Sequence, residues 1–289
     1  SFRDAEDKSL SEKDFKKITS YYGFGVPAVL GEAIATLRGK AMTFDERMAS
    51  TAQGAITGLF DDFFDEWGLP EERLTSLVNF PENYQAENAN QELFLKYYIL
   101  SLQLCKYPAN VKASLMDVLH AQIDSLKQAE NELLSKEEIK HITYQKGGHS
   151  LLFYRYIFDN ELEKKERKCL FMLGSALQLV NDCFDVYKDR EAGIQTLVTR
   201  CEHISEVRSQ YTKWINEFFK LARALDFPKS QKDKLIRMIS LGVRRADVCL
   251  DQLEALEKKS NNTFVLNSYS RKDLIVDMDK GKNIWKSVR

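Results

Sequence analysis

Glycine and proline are scarce, 13 and 5 residues in a chain of 289. Strand-like alternation is nearly absent as well, so a turn-rich β fold is excluded. The five cysteines, Cys105, Cys169, Cys183, Cys201 and Cys249, are odd in number and scattered, with no CxxC pair. A zinc site and a disulfide framework are therefore not expected. A reducing, cytoplasmic setting is. Net charge is almost nil, −1 from 42 basic and 43 acidic residues. No general attraction to nucleic acid or acidic lipid follows from that. No apolar run approaches the ~18 residues of a membrane span, and no secretory leader is expected. Internal repeats and low-complexity linkers are also missing.

What is present reads as helices joined by short connections, one all-α domain over residues 1–289. The periodicity predicts a helix from about Pro27 to Gly39. A second, from Phe44 to Trp67, is opened by the capping box of Thr43 and Glu46 and stopped by Gly68 and Pro70. Loop chemistry follows, then a helix over 91–105 and another from Pro108 to about Lys127. Ser135 and Glu138 form a box for a helix that ends at Gly147–Gly148. A short aromatic helix, "SLLFYRYIF", comes next. Asn160 and Glu163 are a third box, opening a long helix to about Arg190 that Gly193 stops. Further helices are expected over about 200–225, 230–258 and 269–288. The expected architecture is an antiparallel helical bundle with a large core that has room to be hollow.

Two stretches resist this plain reading. "GLFDDFFDEWGLP" packs Asp61, Asp62, Asp65 and Glu66 into the last turns of a helix, where the macrodipole disfavours negative charge. Asp61 and Asp65 lie about 6 Å apart along the axis and repel by roughly 2–3 kcal/mol at an effective dielectric near 20. Few basic residues lie one turn away. "NDCFDVYKDREAG" repeats the pattern: Asn181, Asp185 and Asp189 are spaced four and four, again in the last turns of a helix. If the two acidic stripes face each other, bound divalent cations are the best compensation. Hard carboxylate oxygens suit Mg²⁺, which binds through one or two carboxylates and substrate phosphates.

These residues carry a family likeness. Asp61-Asp62-Phe-Phe-Asp65 resembles the first aspartate-rich motif of class I terpene synthases and trans-prenyltransferases. Asn181-Asp-Cys-Phe-Asp185-Val-Tyr-Lys188-Asp189 resembles the second metal motif of terpene synthases. Asp185 stands where Ser or Thr is usual, and Asp189 where Glu is usual. Gly174 and Gln178 sit where prenyltransferases and phytoene or squalene synthases carry a G…Q. Lys146-Gly147-Gly148 resembles a Lys-x-Gly helix break lining the same cavity. No Arg-Arg-Gly follows the first motif, which disfavours chain elongation. Tyr269-Ser-Arg271 is the nearest substitute for the C-terminal Arg-Tyr pair.

The resemblance implies the class I terpenoid synthase fold around a central cavity, and a terpene cyclase acting on a prenyl diphosphate. It implies three Mg²⁺, with Asp61, Asp62 and Asp65 as ligand candidates on one wall and Asn181, Asp185 and Asp189 on the other. Lys188, Lys146 and Arg271, with Tyr269, are candidates to hold the diphosphate. Phe60, Phe64, Phe153, Tyr154, Tyr156 and Phe158 could face the cation, and Gly147 would turn carbonyls toward it. His149 reads as a loop histidine. Gly54, Thr57 and Gly58, one turn before Asp61, leave room for the tail, so a C20 chain is mildly favoured within a C15–C20 range. A homodimer is compatible with the family. Head-to-head condensation of the squalene or phytoene type, chain elongation, and a non-catalytic helical scaffold are the alternatives.

Overall fold

The computed structural model describes residues 8–65, 67–278, 280 and 283, the side chain of Asp65 excepted. Every regular element among the described residues is helical. They form two compact units. The first holds the described residues up to Ile123 together with Leu152–Glu163; the second holds Asp124–Leu151 and the described residues from Lys164 onward.

The first unit opens with a helical run, α1, from Glu12 to Arg38. It alternates α segments (Glu12–Lys16, Tyr22–Gly25, Glu32–Ala35) with π segments (Lys17–Tyr21, Val26–Gly31) and closes in the 3-10 turn Thr36–Arg38. The sequence reading starts this helix at Pro27, some fifteen residues late. Pro27 reads as a first-turn proline, but here the missing N–H falls inside a π segment, where the backbone ladder is already irregular. Helix α2 spans Phe44–Asp65. Its predicted cap is formed: Glu46 N–H donates to Thr43 Oγ1 at 3.1 Å, and Thr43 N–H donates to the Glu46 carboxylate at 2.8 Å. Gly68, at φ 54°, ends the turn after it. Helix α3 (Glu71–Asn79) is an element that the sequence reading missed. Helix α4 (Ala89–Leu104) packs along α2. Their seam is aromatic: Phe60, Phe63, Phe94 and Tyr98 are buried, and Phe60 stacks on Phe94 with centroids 5.6 Å apart. Each such ring contributes about 1.5–3 kcal/mol by leaving water. Helix α5 (Pro108–Ser125) begins as expected.

Helix α6 (Lys136–Arg155) gives its residues to Leu151 to the second unit and the rest to the first. Its Ser135–Glu138 capping box is formed. The expected break at Gly147–Gly148 is not: the helix runs straight through both, and His149 is helical rather than in a loop. The glycines serve close packing instead. A Cβ at Gly147 would lie 2.2 Å from the Gly174 carbonyl oxygen, and one at Gly148 would lie 2.1 Å from the Phe171 ring. The Gly147 carbonyl therefore stays in the helix ladder.

Helix α7 spans Lys164–Phe184 and α8 spans Val186–Glu191. The Asn160–Glu163 box is not formed; Asn160 Nδ2 donates to the Glu161 carbonyl, and the helix starts only at Lys164. The expected single helix to Arg190 is interrupted at Asp185, at φ −90° and ψ 5°. Helix α9 (Ile204–Arg223) packs along α7. The helix expected over 230–258 is two, α10 (Lys229–Val243) and α11 (Arg245–Lys259), which meet at Arg244. Of the helix expected over 269–288, the described part is one short turn, α12 (Arg271–Leu274), followed by residues 275–277 without regular structure. The rest of that expectation falls largely outside the described residues. Among the described residues no helix is long and apolar enough to cross a membrane.

Candidate active site

In the first unit the acidic turns of α2 are met by partners from distant parts of the chain. Asp62 is buried, and its carboxylate accepts from Lys17 Nζ at 2.8 and 3.2 Å. Burial alone would lower the Lys17 pKa; its bond and charge attraction to Asp62, together with those to Asp14, outweigh that and raise it. Lys17 also lies 3.5 Å from Asp14. The counter-charge that the neighbouring residues do not supply thus comes from α1, 45 positions away. Asp61 is half-buried and accepts from Gln122 Nε2 at 2.5 Å. The side chain of Asp65, and Glu66 entirely, lie outside the described residues.

One turn before Asp61, the small residues have different fates. A Cβ at Gly54 would lie 2.4 Å from the Tyr22 carbonyl oxygen, and one at Gly58 would lie 3.0 Å from the Lys17 side chain. Both glycines accommodate α1, so they leave no room for a substrate tail and the argument for a longer chain loses them. Thr57 stands on another face. Its hydroxyl donates to the Gln53 carbonyl at 2.9 Å, which leaves the Tyr154 hydroxyl to donate to it at 2.7 Å. Burial pushes the Tyr154 phenol well up.

The aromatic candidates also divide. Phe60 is committed to the α2–α4 seam, with Phe64 half-buried beside it at 5.4 Å. Phe153 is buried against Tyr154, and its carbonyl accepts from Gln53. Phe158 is taken by two guanidiniums, Arg38 at 4.5 Å and Arg155 at 5.5 Å, so it has no face for a substrate cation. Tyr156 is half-buried.

The second unit solves its acidic stretch differently. Asn181 is exposed, and its Nδ2 donates to Asp185 Oδ2 at 3.1 Å. Asp182, which the four-residue spacing passes over, is buried. It accepts from Gln178 Nε2 at 2.9 Å and from Thr143 Oγ1 at 3.3 Å. Burial still pushes its pKa up to about 6, against the help of Gln178 and the Lys146 charge. Asp189 is buried too, and its pKa is pushed up to about 8, first by burial and then by repulsion from Asp182 and Asp185. Asp185 is raised by burial, with Lys188 and Asn181 easing it. Asp182 and Asp189 are seven apart, within about 20° of one another around a straight helix. That spacing was the signal for Asp182 in the sequence.

A cleft of about 750 Å³ opens beside this stretch, lined by Phe184, Asp185, Tyr187, Lys188, Glu191, Ala192, Arg271 and Ile275. Lys188 and Arg271 are exposed in it. Lys146, half-buried on α6, adds a third positive charge that acts on Asp182, Asp185 and Asp189. Tyr269 is buried: its ring packs on Phe264 and its hydroxyl donates to Ser260 Oγ at 3.0 Å.

Among the described residues no three histidine, cysteine, aspartate or glutamate side chains form a chelating group. Mg²⁺ does not require one, because it takes one or two carboxylates and completes its shell with water and substrate phosphate. The donor set fits that mode. Asp185 and Asp189 carry hard carboxylate oxygens whose mutual repulsion a cation would relieve, and Asn181 offers an amide oxygen next to Asp185.

No family model matches the sequence, and no curated protein matches it. Among solved structures the chain is similar to a dehydrosqualene synthase in complex with ligand. The two are 13% identical over 96% of this chain and 97% of that one, with a TM-score of 0.51. At that identity the likeness shows the fold: the chain has the all-helical fold of that synthase.

Proposed function

We propose that the protein is a Mg²⁺-dependent enzyme that ionises a prenyl diphosphate and cyclises the resulting allylic cation. The observation that supports this is the second unit's cleft. It is lined by Asp185 beside the exposed cations Lys188 and Arg271, and Asp185 adds to the repulsion on the buried Asp182 and Asp189. A carboxylate cluster alone would bind a metal, and a cationic pair alone would bind an anion. Together they suit a metal–diphosphate ligand. Asn181, Asp185 and Asp189 would hold the metal in this unit. The resemblance gives the same role to Asp61 and Asp65, whereas Asp62 already has Lys17 as its partner. When bound, Mg²⁺ stabilises charge on the departing diphosphate as a Lewis acid.

The chain's own groups do the rest. Lys188 meets phosphate oxygens as a flexible point charge, and Arg271 offers a planar fork of donors to the same group. Gln178 and Thr143 hold Asp182 so that it does not swing into the ligand set. As the C–O bond breaks, its electron pair leaves with the diphosphate. A ring then closes on the cation, and proton loss or water capture ends the reaction. Buried aromatic and aliphatic walls must keep water off the cation until then.

A second reading, head-to-head condensation of two prenyl diphosphates, is supported by the fold shared with a dehydrosqualene synthase. The test separates them. The protein is incubated with C10, C15, C20 and C25 prenyl diphosphates and Mg²⁺, with diphosphate release measured and the organic extract analysed by mass spectrometry. Diphosphate release with a product of the substrate's carbon number supports cyclisation. A product of twice that number moves the assignment to condensation. No release from any substrate rejects ionisation.

A further inference from the structure

The segment after α11 folds back as a strap, and one side chain beside the acidic stretch fastens it. Phe264 N–H donates to the Glu202 carbonyl at 2.8 Å, and Gln252 Nε2 donates to the carbonyls of Asp273 and Ile275 at 2.6 and 3.1 Å. Between these two anchors lies Arg190, next in sequence to Asp189. Its Nη1 donates to the Tyr269 carbonyl at 2.7 Å and to the Leu266 carbonyl at 3.3 Å. Its Nε and Nη2 reach Glu191 Oε1 at 3.0 and 2.9 Å. The same guanidinium lies 4.9 Å from the Tyr187 ring.

Arg271 shares that ring, at 5.8 Å from its centroid. It lines the cleft beside Lys188. Among the described residues its guanidinium makes no hydrogen bond or ion pair, so its donors are open to an anion. Two like charges around one ring are tolerated because Arg190 is neutralised by Glu191 and spends donors on backbone carbonyls. Only a planar fork can serve the carbonyls, the carboxylate and the ring together; a lysine at 190 could not.

We propose that Arg190 is a positioning residue: it clamps the 266–269 strap to α8 and, through that strap and Tyr187, holds Arg271 in the cleft as the diphosphate-binding cation. The inference rests on the diphosphate reading above. Arg190 itself does not contact the ligand.

The test uses the full chain, with inorganic diphosphate and Mg²⁺ as the calorimetric probe and trypsin as a probe of the strap. Arg271→Ala should weaken diphosphate binding roughly tenfold, the loss of charge-assisted hydrogen bonds. Arg190→Gln should weaken it by a comparable factor, and Arg190→Gln/Arg271→Ala should be no weaker than Arg271→Ala alone. Arg190→Gln should also speed tryptic cleavage after Arg271 or Lys272, both exposed, with the rest of the chain uncut. Arg190→Lys keeps the charge and should still show the faster cleavage, which guards against a variant that fails to fold. Multiplicative losses in the double variant would overturn the proposal, because Arg190 would then act on the ligand independently. Unchanged cleavage and unchanged affinity in Arg190→Gln would also overturn it. Faster cleavage in a protein whose wild type binds no diphosphate would uphold the clamp and sink the diphosphate reading instead.

Discussion

The acidic turns of α2 and the acidic turns of α7–α8 look alike in sequence and differ in how their charge is met. On α2, Asp62 has a lysine and Asp61 has an amide, both supplied by the fold. On α7–α8 the donors are neutral amides and a hydroxyl: Gln178 and Thr143 on Asp182, and Asn181 on Asp185. Asp189 is left buried between two repelling carboxylates. A stretch of aspartates is thus not one electrostatic object. Where the chain has already compensated a carboxylate, the charge belongs to the fold. Where it has not, the deficit is available to a ligand. Among the described residues the deficit lies in the second unit, so that is where the proposed metal would gain most by binding.

The largest expected effect breaks the second half of this comparison. Asp189→Asn should lower turnover by at least ~10³-fold, since it removes an anion proposed to help stabilise transition-state charge through the metal. It should not lower the metal-free melting temperature, because it relieves repulsion in a buried site. Kinetics with prenyl diphosphate and a thermal melt without Mg²⁺ check both. Near-normal turnover, or a melt lowered as by a core mutation, would place Asp189 in the fold and erase the contrast.

Removing a charge at the first stretch should act the other way. Lys17→Met leaves the Asp62 carboxylate buried without its cation. Breaking a fully buried pair costs about 3–5 kcal/mol. Lys17 keeps 23% of its side chain exposed, so about 2 kcal/mol is expected here. Lys17→Met/Asp62→Asn should recover at least half of that loss, read from urea unfolding. No recovery would mean that Lys17 contributes by packing on Gly58 rather than through charge.

What was legible in the sequence follows the same division between local and distant. The caps at Thr43–Glu46 and Ser135–Glu138 are formed within four residues, so reading them needs no fold. Asn181, Asp185 and Asp189 were visible for the same reason. Lys17 was not, because nothing near Asp62 in sequence announces a lysine 45 residues earlier. The glycines misled for a related reason. Gly54, Gly58 and Gly147 are small because another helix presses on them, and a sequence shows the smallness without the neighbour. Asp182 was passed over because an i, i+4 stripe selects its neighbour Asn181, although the seven-residue spacing of Asp182 from Asp189 is just as local. Arg190 carried no signal beyond its place after Asp189, because its partners are backbone carbonyls more than 75 positions away.

The smallest expected effect sharpens the first half of the comparison through pH. Asp14 faces Lys17 from the α1 capping box, with Ser11 Oγ and Ser11 N–H donating to its carboxylate at 2.6 and 2.8 Å. Burial alone would raise its pKa; the Ser11 bonds and the Lys17 charge outweigh that and hold it below the usual 3.8. A depressed acid stabilises the fold above its unfolded pKa and loses that contribution as pH falls through the folded one. Asp14→Asn should therefore cost about 0.5–1 kcal/mol at neutral pH, the size of a cap interaction. The gap between wild type and variant should stay flat down to about pH 4 and close below it. Lys17 owes its raised pKa to the Asp62 and Asp14 carboxylates, so its own contribution lasts only while those stay charged. Unfolding curves at a series of pH values read both. A gap that closed near neutrality would show that Asp14 titrates with a raised pKa, as Asp189 does, and that the two acidic regions are electrostatically alike after all.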